Sequence, residues 1–342
     1  MKQIVRSPLA AAILLGLIAP LQAADLTIYG RANLSVDQLD NGVDSATNAS
    51  SNSSRLGFRG ATSLEGGLEA FFQIEQTIFL DEGRGNFADR DTFLGLRGDF
   101  GSLRIGQFDT PLKVIRARVD LFGNRIGDIR NVSRVNTGGD LIGNVFDERF
   151  KNGIAYRSPT VNNVSVDVHY SPHHATGATT DNKREALSTA ITYAAKGSYV
   201  SLAYERSEGN EEFNPSAWRL GAFYDVTEQL RLTTFAQLDK DLPIGDRTLF
   251  GAGAAYKLEQ YTLKGQLYRV NNRDADDADA TLLVLGVDRQ FGRALVGYLA
   301  YAISSNEDNA AYRVSGGGRS TQQATVVGEN ASGLSLGLEY RF

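Results

Sequence analysis

From Leu26 onward, apolar and polar residues alternate with a period of two, in segments of about ten residues separated by turn-forming or polar stretches. In the first segment Leu26, Ile28, Gly30, Ala32, Leu34 and Val36 share one face, and Thr27, Tyr29, Arg31, Asn33, Ser35 and Asp37 share the other. A Ser/Asn-rich stretch over 41–52 reads as a loop. Leu56, Phe58 and Leu64 then resume the apolar face, with Arg55, Arg59 and Ser63 opposite. Glu65-Gly66-Gly67 predicts a tight turn before Leu68, Ala70, Phe72 and Ile74, and residues 99–101 and 160–163 predict two more. The second half repeats the rhythm, for example at Trp218, Leu220, Ala222 and Tyr224. Its polar connections fall at 208–215, at the acidic 271–279 and at the Gly/Ser/Thr-rich 304–330. The final residues alternate without a break: Leu334, Leu336, Leu338, Tyr340 and Phe342 against Ser335, Gly337, Glu339 and Arg341.

The pattern predicts an all-β chain of about sixteen antiparallel strands, with about 20 residues for each strand and its connection. A soluble β-sandwich also alternates, but it packs large residues inward. Here the polar faces carry Arg31, Arg55, Gly57, Arg59, Ala61, Lys264 and Gln266, a set that suits the lining of a water-filled space and not a dry core. The reading is therefore a sixteen-stranded transmembrane β-barrel forming one domain over 25–342. Residues 1–24 carry Lys2 and Arg6, an apolar run over 9–18 too short to span a bilayer, and small residues at Ala23 and Ala24. They read as a signal peptide. The 342 residues include no cysteine, which excludes disulfides and thiolate metal sites. A net charge of −5, more negative once Lys2 and Arg6 are removed, argues against nucleic acid as a partner.

One segment breaks the rhythm. After Phe108-Asp109-Thr110-Pro111 the alternation stops and does not return until about Asn152, which defines a long connection over about 110–150. Val114, Ile115, Val119, Leu121, Phe122, Ile126, Ile129, Leu141, Ile142 and Phe146 make it too apolar for a solvated loop. The nearest place for it to bury is the inside of its own barrel.

Several runs resemble the general porins of Gram-negative bacteria, in particular the branch with the Neisseria- and Comamonas-type porins. They are IYGRANLSVD (28–37), SRLGFRGATSLEGGLEAFFQIEQ (54–76), RDTFLGLRGDFGSLRIGQFDTPLK (90–113) and GIAYRSP (153–159), together with the terminal Phe342. The resemblance implies a homotrimer of sixteen-stranded barrels in the outer membrane, surrounded by lipid and lipopolysaccharide and passing small hydrophilic solutes and ions by passive diffusion. It implies no cofactor. The terminal strand, with Tyr340 and Phe342, resembles the signal read by the barrel-assembly machinery. By the same resemblance the third extracellular loop folds inward and narrows the pore. Arg55, Arg59 and Arg90 then form a basic wall, and the loop carboxylates Asp120 and Asp128 face it. The loop is itself rich in arginine, at Arg116, Arg118, Arg125, Arg130 and Arg134, which tilts the expectation toward anions.

Two other readings stay open: a substrate-specific channel for phosphate or an organic acid, and, more remotely, an adhesive or structural barrel. Acyl-transfer chemistry needs a base beside its nucleophile. The only histidines, His169, His173 and His174, sit together at one strand end and its loop, so no enzyme is expected. They read as an exposed loop without a metal.

Overall fold

The computed structural model describes residues 25–134, 145–174, 184–208 and 213–342. The segment 1–24, read as a signal peptide, lies outside the described residues, as do Leu141 and Ile142 of the long connection. Eighteen β segments form a single sheet. Ser45–Ser51 and Arg55–Ser63 both pair with the first strand, Thr27–Asp40, and form one interrupted stave; Arg84–Asn86 and Thr92–Gly98 both pair with Glu69–Phe79 and form another. The result is sixteen antiparallel staves. The sheet closes where the first strand pairs with the last, Ala331–Arg341, from Arg31↔Arg341 to Asp40↔Ser332. Short turns join the staves at the end holding Thr27 and Arg341, and the long loops gather at the other.

The alternation maps onto the two surfaces as expected. Ile28, Val36, Leu336 and Leu338 lie exposed on the outer face, while Arg31, Asn33, Ser35 and Asp37 are buried within the ring. One expectation needs correction. The stretch 41–52 is not all loop, because Ser45–Ser51 extends the hairpin with the first strand. Its Ser, Asn and Ala content hid a strand whose pairing is supplied by its neighbour rather than by propensity.

The described parts of the long connection, 110–134 and 145–148, fold into the barrel, and they contain helix that the alternation did not announce. Helix α1, Pro111–Val119, starts at Thr110, whose hydroxyl accepts from the Lys113 amide at 3.3 Å, with proline at the first helical position. A short turn, α2, follows at Arg130–Ser133. Leu112 and Ile115 pack on Ala190, Ala203 and Ala217 of the wall. Further on, Phe122, Ile126, Ile129 and Val132 pack on Phe235, Tyr268, Val270, Leu282 and Val284. Burial of each such side chain is worth about 1.5–3 kcal/mol, which offsets the ordering of the loop. Wall glycines make room for it: a Cβ at Gly286 would stand 2.7 Å from the Phe122 ring. One part of the interior is therefore a dry core, built between wall and loop.

The connection over 307–330 also turns inward. Val314 joins the same core, the Arg130 guanidinium donates to the Gly317 carbonyl, and the Arg319 guanidinium pairs with Asp37 of the first strand, both fully buried. Asn131 further ties the two loops, accepting from the Gly316 amide at 2.7 Å.

The far end of the infolded loop is pinned by Arg219, which donates to Asp147 at 2.7 and 3.0 Å and to the Leu112 carbonyl at 3.1 Å, all away from solvent. Removing one partner strands the other's charge. Arg219→Ala is expected to lower stability by about 3–5 kcal/mol. The paired change Arg219→Leu with Asp147→Leu should recover much of that loss. Thermal unfolding in detergent, followed by loss of the compact electrophoretic form, checks both outcomes.

Candidate functional site

Where the infolded loop meets the wall opposite, a cavity of about 550 Å³ remains. Twelve basic side chains border it against four carboxylates, Asp109, Asp120, Asp288 and Glu339. Strand parity places most of the wall's contribution. Arg31 and Arg55 are direct cross-strand partners on the inner face, and Lys264 and Glu339 point inward from their own strands.

Of the expected basic wall, Arg55 and Arg90 border the cavity. Both hold Glu75, at 3.4 Å from Arg55 Nε and 2.6 Å from Arg90 Nε, and Glu75 also accepts from the Tyr29 hydroxyl at 3.0 Å. Arg59 does not border it. Four residues along from Arg55, it stacks 5.1 Å over the Tyr29 ring in a separate recess with Asp25 and Arg97, toward the short-turn end. On the loop, Arg116 and Arg118 both border the cavity but differ in kind. Arg116 is buried between Asp128 and Asp147, at 3.7 and 3.3 Å, whereas Arg118 is exposed to the lumen and lies 5.2 Å over the Tyr199 ring.

The two loop aspartates are also unalike. Asp120 borders the cavity, where it accepts from the Phe122 and Ile129 amides at 2.9 and 3.1 Å and from Gln266 at 3.2 Å. Burial and the nearby Asp128 carboxylate push its pKa up to about 7. Asp128 is wholly buried inside the loop and does not face the wall arginines. It accepts from Arg130 at 2.7 Å and from the Asn124 amide at 2.6 Å. Burial works against its charged form, but Arg130 and Arg116 prevail and hold it at about 2. Lys113, on α1, is lowered to about 8 by burial, with Asp109 at 3.0 Å opposing.

Several cavity residues escaped sequence reasoning. Arg149 sits where the strand resumes after the loop and donates to Asp91 at 2.6 Å; no spacing singles it out. Arg341 belongs to the terminal strand, whose inner parity was the available signal. Tyr340 and Phe342 stand away from the cavity; the Phe342 carbonyl accepts from the Gly30 amide at 2.9 Å, which ties the chain end to the first strand. Two of the three histidines are not exposed. His169 is fully buried on the inner face, stacked 4.3 Å from the Phe108 ring, and His173, four residues on, is buried as well, while His174 is half-buried. Among the described residues no group of three or more His, Cys, Asp or Glu side chains converges as metal ligands would.

Comparison with known proteins points in the same direction. The solved structure of the anion-selective porin from Comamonas acidovorans superposes with a TM-score of 0.79 at 22% identity, covering 94% of this chain and all of that one. The outer membrane protein OmpT of Vibrio cholerae, in a trimer form, gives a TM-score of 0.68 at 18% identity, with 94% and 100% coverage. At these identities the likeness establishes the fold. In sequence, the major outer membrane protein P.IB of Neisseria gonorrhoeae is 26% identical over 203 residues, 55% of each chain. That of Neisseria meningitidis serogroup B (strain H44/76) is 34% identical over 99 residues, 26% of this chain and 30% of that one. The chain thus spans about half or less of the length of the curated relatives it matches. A family profile described as Gram-negative porin matches residues 10–309, nearly the whole of the alternating region and the infolded loop. With the closed sixteen-stave ring, the outward apolar face and this match together, the chain belongs to the Gram-negative porin family.

Proposed function

We propose that this protein is an outer-membrane channel for passive diffusion of small hydrophilic solutes and ions, with a preference for anions, and that it works as a homotrimer. The observation that carries the reading is the excess of twelve basic side chains over four carboxylates around the narrowed lumen, in a chain that is acidic as a whole. Guanidinium keeps its charge at every relevant pH, so the field is permanent. In a confined, low-dielectric lumen such a ring of cations lowers the barrier to anions and raises it for cations. Arg55, Arg90 and Arg118 supply charge at the cavity itself, Arg116 acts chiefly by holding the loop, and Arg59 lines the exit. The fold is shared with the Comamonas porin, which is anion-selective, and that supports the preference; the trimer form of OmpT supports the assembly.

In a planar bilayer with a salt gradient, the reversal potential is expected to carry the sign of anion preference, and conductance should rise in groups of three. Arg55→Glu with Arg118→Glu should lower the anion-to-cation permeability ratio severalfold, on the order expected for a change of four charges in a filter. An unmoved reversal potential removes these two residues from the constriction.

Selectivity should also depend on pH. As pH falls from 9 to 6, Lys113 gains its proton near 8 and Asp120 loses its charge near 7. Both steps make the lumen more positive, so anion preference rises toward acid. In Asp120→Asn the step near pH 7 should vanish while the step near 8 persists. Reversal potentials titrated across this range decide it.

A further inference from the structure

On the short-turn side of α1, a second cavity of about 360 Å³ lies between the helix and the inner wall. Three carboxylates border it, and each is already countered. Asp91 accepts from Arg149 at 2.6 Å, Asp109 from Lys113 and Arg149 at 3.0 and 2.9 Å, and Asp167 stands 3.8 Å from Arg157. Two further guanidinium groups border the same space, Arg104 and Arg118; among the described residues neither is in a contact ion pair or a hydrogen bond, although Asp167 and Asp91 stand near enough to Arg104 to act on its charge. Aromatic rings hold them in place. Arg104 lies 4.5 Å from the Phe108 ring centre and 5.4 Å from that of Phe93, and Arg118 lies 5.2 Å from that of Tyr199. Phe108 is itself braced by the stack on His169.

A guanidinium seated on a ring face keeps its N–H edges free in its own plane, oriented for a carboxylate fork. The remaining lining is apolar in part, with Pro111 and Val114 on the helix and Ala190 and Ala194 on the wall. Neither a bare inorganic anion nor a neutral sugar uses both features. We propose that this cavity is a binding subsite for a small carboxylate bearing an apolar body, gripped by Arg104 and Arg118, next to the constriction on the path out of it. The proposal rests on the channel reading and names a preferred solute class for it.

The test uses the full-length trimer in a planar bilayer, with benzoate as the probe. Added benzoate should reduce the chloride current saturably, with half-block in the millimolar range. Acetate, which has the charge without the ring, and benzyl alcohol, which has the ring without the charge, should each block about tenfold more weakly or worse. Arg104→Gln and Arg118→Gln should each weaken benzoate block by about tenfold, the loss of one charge-assisted fork. Chloride conductance steps report that each variant has formed its channel. Benzoate block that does not saturate, that equals acetate block, or that persists unchanged in both variants overturns the subsite. Absence of any chloride conductance from the unaltered protein overturns the channel reading instead.

Discussion

Hydrocarbon offers no hydrogen bonds, so every backbone N–H and C=O crossing it must be satisfied within the protein, and a sheet placed there must have no edge. The pairing of Thr27–Asp40 with Ala331–Arg341 meets that demand, and much of the remaining structure follows from it. A closed ring has one face toward lipid and one toward its lumen, which fixes the period-two pattern along every stave. It also inverts the usual arrangement of a globular fold. Ile28 and Leu336 are exposed, while Arg31 and Asp37 are enclosed. What fills the enclosed space is then a separate matter, settled by the loops.

The filling is divided by chemistry. On one side the wall carries Phe235, Tyr268, Leu282 and Val284, and the infolded loop docks there as a second hydrophobic layer. On the other side the wall stays charged and the space stays open. Buried ion pairs such as Arg219–Asp147 and Arg247–Asp239 contribute little net stability once desolvation is counted, but Arg219 holds the loop through Asp147 and Arg247 through the Ser133 carbonyl, so they fix where the loop lies. The same loop therefore shapes the cavity and sets its charge. The acidic balance of the whole chain resides elsewhere, in part on the outer connections around Asp274, Asp276 and Asp277, and does not describe the lumen.

Alternation alone made the barrel legible, since lipid and water on opposite faces leave a recurring mark from Leu26 to Phe342. The loss of that mark after Pro111, with the apolar content beyond it, located the infolded loop. Helix α1 was hidden because a nine-residue helix leaves too short a trace beside neighbouring strands, although Thr110-Pro111 and the spacing of Leu112, Ile115 and Val119 carried its signature. Cavity-lining residues were readable where parity decided them, as for Arg55, and obscure where a loop's own fold did. Asp120 and Asp128 are equivalent in sequence, yet only local hydrogen bonding turns one to the lumen and encloses the other. Arg59 shares its face with Arg55, but four residues along a stave is a large step along a short barrel. Periodicity reports the face and is silent about depth.

The buried Arg319–Asp37 pair joins residues from opposite ends of the chain, the first stave and the connection just before the last. That connection also grips the narrowing loop through Gly317 and Asn131. Such a latch has no strike plate until the final hairpin arrives beside the first. The narrowing of the lumen thus depends on contacts that exist only when the cylinder is sealed.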